Sequence, residues 1–117
     1  MFFFKKKSMD CKLTLICISK GRFKNKRWEF KFPPHTTIAV GRIDGCHLII
    51  DESTISLSHC LIYCKDYKLY IIDLGSKYGT IVNHEKASEP ILLPRKSLIE
   101  LGQITLQASA KCPNFDD

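Results

Sequence analysis

What most constrains this chain is a succession of short alternating segments, each closed by turn residues. Leu13, Leu15 and Cys17 alternate with Thr14, Ile16 and Ile18, the pattern of a strand with two partly covered faces. Trp28–Phe32 alternates again and is closed by Pro33-Pro34. Ile38 and Val40 mark a third strand ending at Gly41. Further strands are expected near Leu48–Ile50, Cys60–Cys64, Lys68–Asp73, Thr80–Val82, Leu98–Leu101 and Ile104–Ala108. Asp66-Tyr67 and Gly102-Gln103 supply tight turns. No window keeps apolar residues at i, i+3, i+4 and i+7 for three turns, so helices are not expected. Short strands at spacings of about 8–12 residues predict an all-β sandwich or barrel.

The 117 residues fit one domain. Residues 1–10 read as a flexible N-terminal arm, 11–109 as the domain, and 110–117 as a loose tail. With 44% apolar and 26% charged residues the composition is that of a globular chain. The formal net charge of +6 favours an anionic partner only if the charge converges on a site. The basic stretch Lys20, Arg22, Lys24, Lys26 and Arg27 reads as a mobile, exposed hairpin connection.

The six cysteines, at 11, 17, 46, 60, 64 and 112, show no C-x-x-C pair and no zinc-finger quartet. Neither a secretory signal nor a membrane-length apolar run is present. Reduced thiols in a nuclear or cytoplasmic protein, mostly serving as small core residues, are therefore expected, with no metal and no cofactor.

Three segments stand in order where strands meet loops: Gly41-Arg42, Ser56-Leu57-Ser58-His59, and Ser76-Lys77-Tyr78-Gly79-Thr80 ending in Asn83. Loops at one end of a sandwich carry function on a rigid base. An arginine, a serine hydroxyl and a lysine held there can converge on one dianion through charge-assisted hydrogen bonds. Enzyme readings find no support. The residue that a cysteine-phosphatase loop starting at His59-Cys60 would need as arginine is Asp66. A triad of Ser56, His59 and Asp73 lacks the nucleophile elbow, and no phosphate-binding P-loop exists.

The ordered pattern G-R, S-x-x-H and G-T-x-x-N resembles the forkhead-associated (FHA) family over residues from about 12 to 109. The resemblance implies an FHA-type β-sandwich of two mainly antiparallel twisted sheets, with ligand-binding loops at one end. It implies a monomeric phosphothreonine-peptide recognition module and no enzyme. Arg42 would hold the phosphate, Ser56 would donate its hydroxyl to it, and Lys77 would add a side-chain or backbone contact. Gly41 and Gly79 would be architectural, and His59, Thr80 and Asn83 would brace the loops. The family often has polar residues where this chain has Leu57 and Tyr78, so these two bear on affinity and register. A pocket for the threonine γ-methyl, with selectivity at the third residue beyond, is also implied. Ser76–Thr80 is similar to the same stretch in a family member of the DNA-damage response, which implies nuclear residence. Two rival readings are a basic β-domain binding nucleic acid through Lys20–Lys31, with Phe23 and Trp28 as stacking surfaces, and an FHA-fold scaffold that reads no phosphate.

Overall fold

The computed structural model describes residues 9–113. The elements in chain order are β1 (Cys11–Cys17), β2 (Arg27–Phe32), β3 (Thr37–Gly41), β4 (Leu48–Ile49), β5 (Cys60–Lys65), β6 (Lys68–Asp73), β7 (Thr80–Val82), β8 (Glu85–Lys86), β9 (Ile91–Leu92), β10 (Lys96–Leu101) and β11 (Ile104–Lys111). One sheet has the order β2-β1-β11-β10-β7-β8 and the other β4-β3-β5-β6-β9. All pairings are antiparallel except that of β3 with β4, so the expected two-sheet, mainly antiparallel β architecture is the one observed.

Alternation fixes which side of each strand is buried. Leu13 and Leu15 of β1 lie inward beside Ala110 and Ala108 of β11, while Lys12 lies outward between Lys31 and Lys111. Ile62, Leu69 and Ile71 close the core from the other sheet, against Ile99, Leu101 and Leu106. Each such side chain, fully buried, stabilises the fold by roughly 1.5–3 kcal/mol against its exposed state. The β5–β6 connection is a two-residue hairpin with positive φ at Asp66 (51°) and Tyr67 (59°). Both signs are those of a type I′ turn, whose twist matches the strands it joins.

The structure departs from the sequence-based expectation in three places. First, β8 and β9 were not foreseen; each is two residues long and is defined by its partner across the ladder rather than by any alternation of its own. Second, β11 continues to Lys111, so the chain is still in the sheet where a loose tail was expected. Third, not all thiols are free. Cys11 and Cys112 form a disulfide, with Cα atoms 4.1 Å apart. The β1–β11 register, with Lys12 opposite Lys111, leads directly to that pairing. Cys17, Cys46, Cys60 and Cys64 remain thiols. The basic connection is exposed, as expected, and is built from turns. Lys24 and Lys26 donate their N–H groups to the Gly21 and Phe23 carbonyls, and Asn25 donates to Cys17. Phe23 and Trp28 are partly buried and pack on the core, with the Lys26 ammonium over both rings.

The topology gathers several connections at one end. β3 ends there at Gly41, β5 starts after His59, β6 ends at Asp73, β7 starts at Thr80, and β10 turns into β11 at Gly102-Gln103. The disulfide lies at the other end, where the Cys11 sulfur meets the carbonyl of Tyr67 in the β5–β6 turn.

Candidate functional site

The site starts from a close approach at the end of β3. A Cβ at Gly41 would collide with the Leu57 carbonyl oxygen and come within 2.9 Å of the Cys46 sulfur. Glycine therefore lets the β4–β5 loop close onto β3. In that position the Arg42 N–H is shared between the carbonyls of Ser56 (3.2 Å) and Leu57 (3.1 Å). The Arg42 side chain is anchored as well, its Nε–H donating to the Ile55 carbonyl at 2.9 Å. A guanidinium has donors beyond Nε–H, and because this side chain is exposed they remain available to a ligand.

Ser56 is held at both its main chain and its side chain. Its N–H donates to Nδ1 of His59 at 3.1 Å. Its Oγ accepts the Lys77 N–H at 3.0 Å, which joins the β4–β5 loop to the β6–β7 loop. A serine hydroxyl that accepts one bond still has its own hydrogen to give. His59 is fully buried. Because Nδ1 accepts, the ring proton sits on Nε2, which donates to the Gly79 carbonyl at 2.8 Å. One neutral imidazole thus bridges the two loops. This geometry is not that of a Ser-His-Asp triad: the ring meets Ser56 at its amide rather than its hydroxyl, and Nε2 lies 4.0 Å from Asp73.

Asp73, at the end of β6, organises the third loop. Its Oδ1 accepts the hydroxyls of Ser76 (2.6 Å) and Thr80 (2.7 Å), and its Oδ2 accepts the Ser76 N–H (2.9 Å). The Ser76 hydroxyl in turn accepts the Gly79 N–H at 2.9 Å. Burial pushes the Asp73 carboxyl up, but the Ser76 and Thr80 hydrogen bonds outweigh it and hold the group below its ordinary value. Gly79 has a φ of 85°, a conformation that side chains rarely adopt, and this shapes the turn that presents Lys77 and Tyr78.

The structure therefore brings together Arg42, Ser56 and Lys77, with Gly41, His59, Gly79 and Thr80 beneath them. Lys77 meets Ser56 through its main chain, while its ammonium lies 5.4 Å from the centre of the Tyr78 ring. Leu57 and Tyr78 are 50% and 54% exposed beside these contacts. Asn83 lies at the far end of β7. It exchanges hydrogen bonds with Leu98, donating its N–H to that carbonyl and accepting at Oδ1, and so ties the β7–β8 turn to β10.

Asp73 and Ser76 are supporting residues that motif reading missed. Their signal was present: an aspartate closing a strand three residues before a serine, the spacing of a side-chain-capped turn. Thr54 was missed too. Its hydroxyl accepts the Gln103 N–H and fastens the β4–β5 loop to the β10–β11 turn.

Comparison with known proteins agrees with this construction. The FHA domain family model matches residues 38–102, more than half of the chain, and the chain belongs to the FHA family. FHA domains are interaction modules rather than enzymes. Among solved structures, an Arabidopsis thaliana FHA domain is 25% identical with a TM-score of 0.73, over 97% of this chain and 96% of that one. The FHA domain of the CT664 protein from Chlamydia trachomatis is 24% identical with a TM-score of 0.70, over 84% of this chain and 96% of that one. The MEK1 FHA domain, in complex with a HOP1 phosphothreonine peptide, is 25% identical with a TM-score of 0.65, over 83% of this chain and 94% of that one. No curated protein sequence matches the chain.

Proposed function

We propose that this domain recognises phosphothreonine peptides and so makes a protein–protein contact depend on phosphorylation. The observation that carries the reading is the Lys77 N–H bond to the Ser56 hydroxyl, beside an exposed Arg42 guanidinium anchored through Nε. These bonds present a cation and a hydroxyl hydrogen outward from neighbouring loops, which is the donor set a phosphate dianion needs. The phosphothreonine complex of the 25% identical MEK1 FHA domain supports the same reading. The peptide lies extended across the loop end, its phosphate held by Arg42 and Ser56, with Lys77 adding charge. An affinity in the micromolar range, about −8 kcal/mol, suits so small a footprint. The likeness of Ser76–Thr80 to nibrin supports a partner in the DNA-damage response.

Titration calorimetry with a phosphothreonine peptide library, and with phosphoserine and unphosphorylated controls, tests this reading. The expected result is binding that requires phosphothreonine and is weakened about thirtyfold in Arg42→Ala. Binding that ignores phosphorylation but falls steeply with salt would instead favour a nucleic-acid or general polyanion surface.

A further inference from the structure

The cross-link between β1 and the residue after β11 has a third sulfur beside it. Cys64, on β5, is a free thiol, and its Sγ lies 4.0 Å from the Cys11 Sγ. Strand alternation brings the two together: Cys11 and Cys64 both point into the core, from strands of opposite sheets. The three sulfurs differ in access. Cys11 is fully buried and Cys64 is 3% exposed, whereas Cys112 is half-buried and lines a cavity of about 270 Å³. Lys68, Arg95 and Lys111 line the same cavity. Cations beside a sulfur favour its thiolate.

We propose that Cys64 exchanges into the cross-link and releases Cys112, so that the domain carries a latent thiol at the end away from the recognition loops. In this step the Cys64 thiolate attacks the Cys11 Sγ. The Cys11–Cys64 bond forms, the Cys11–Cys112 bond breaks, and the electron pair leaves with the Cys112 sulfur. The proton given up by Cys64 goes to water. One disulfide is present before and after, so no oxidant or reductant is consumed. The attacking sulfur has to advance about 2 Å to reach bonding distance. The two pairings join cysteines 101 and 53 residues apart, which changes the loop-closure factor by only about threefold. The leaving sulfur is the one whose surroundings are cationic. Burial pushes the Cys64 thiol above its ordinary value, against the N–H groups of His35, Tyr67 and Lys68, so the exchange is slow. Burial also keeps solute oxidants from Cys11 and Cys64, so their bond arises through Cys112 and not in its absence. The product ties β1 to β5 and thereby joins the two sheets covalently. Cys112 becomes a thiol able to pair with a disulfide of a second molecule.

The test uses the whole chain, purified without reductant. It is incubated with iodoacetamide in mildly alkaline buffer without denaturant, and non-reduced digests are mapped by mass spectrometry. In the parent, Cys112 is expected to become alkylated in molecules that carry a Cys11–Cys64 bond. In Cys64→Ser and Cys64→Ala the Cys11–Cys112 bond should persist, and alkylation of Cys112 should slow by about tenfold or more. In Cys112→Ser, Cys11 and Cys64 should remain thiols. A parent that keeps Cys112 unlabelled, or labels it without a Cys11–Cys64 bond, overturns the proposal. Equal labelling of Cys112 in a folded Cys64 variant overturns it as well. Linkage of Cys11 to Cys17, Cys46 or Cys60 does the same, since it marks scrambling through unfolding. If both Cys64 substitutions fail to fold, the parent's linkage map still decides, because it reads the exchanged bond directly.

Discussion

The two ends of this sandwich are held by different kinds of force. At the recognition end the loops stand on a polar lattice: His59 between Ser56 and Gly79, and Asp73 beneath Ser76 and Thr80. At the opposite end a covalent bond joins β1 to the residue after β11, beside a two-residue hairpin turn. Each hydrogen bond of the lattice contributes about 0.5–1.5 kcal/mol net, more where a charge is involved. A cross-link that closes about 100 residues contributes about 4 to 5 kcal/mol in the chain-entropy account. The difference teaches that part of the stability is supplied far from the site, so the cross-link can be altered without disturbing the loops, whereas the polar lattice serves stability and recognition at once.

The largest effect that would break this separation concerns the cross-link. Cys112→Ser is expected to cost about 4 kcal/mol in denaturant unfolding under oxidising conditions, and to leave phosphopeptide affinity unchanged. Weakened peptide binding in that variant would show that the two ends are coupled. Next is Asp73→Ala, which removes the acceptor of two hydroxyls and one N–H and deprives the buried Thr80 hydroxyl of its carboxylate acceptor. A loss of about 3 kcal/mol in stability is expected together with loss of peptide binding, because Asp73 serves the lattice and the loop alike.

Arg42→Ala sharpens the comparison from the other side. About 2 kcal/mol of binding, a thirtyfold rise in Kd, should disappear in calorimetry while the melting temperature falls by a few degrees, the cost of the Nε–H bond to the Ile55 carbonyl. The smallest effect is on pH. The Asp73 carboxyl is held below its ordinary value of 3.8, so its folded form releases its proton more readily than the unfolded chain does. Its contribution is therefore complete above about pH 3.8 and is lost as pH falls through the lower folded value. Acid unfolding followed by circular dichroism should shift accordingly, and Asp73→Asn should flatten that part of the profile.

How much of this was legible in the sequence depends on where the determining contact lies. Alternation is local, so β1, β2, β5, β6, β10 and β11 could be read from their own residues. Glu85–Lys86 has no alternation, and Ile91–Leu92 is too short to show one; both are strands only because Ile81, Val82, Tyr70 and Ile71 stand opposite. The cross-link was hidden for a related reason. Its sulfurs are 101 residues apart, and only the β1–β11 register brings them face to face. At the site, Gly41, Arg42, Ser56 and His59 were readable because short motifs place them on loop edges. What no motif carries is the division of labour at Lys77, whose amide serves Ser56 while its ammonium rests near Tyr78. That division is set by the backbone path around Gly79, which depends on Asp73.

The bond between Cys11 and Cys112 makes the intervening polypeptide a ring. A protease that cuts once inside such a ring releases nothing. Cleavage in the exposed Lys20–Arg27 connection would give a species that migrates as one chain on a non-reducing gel and as two after reduction. Within the nicked molecule the loops bearing Arg42, Ser56 and Lys77 all belong to the larger fragment, which the disulfide would keep joined to β1.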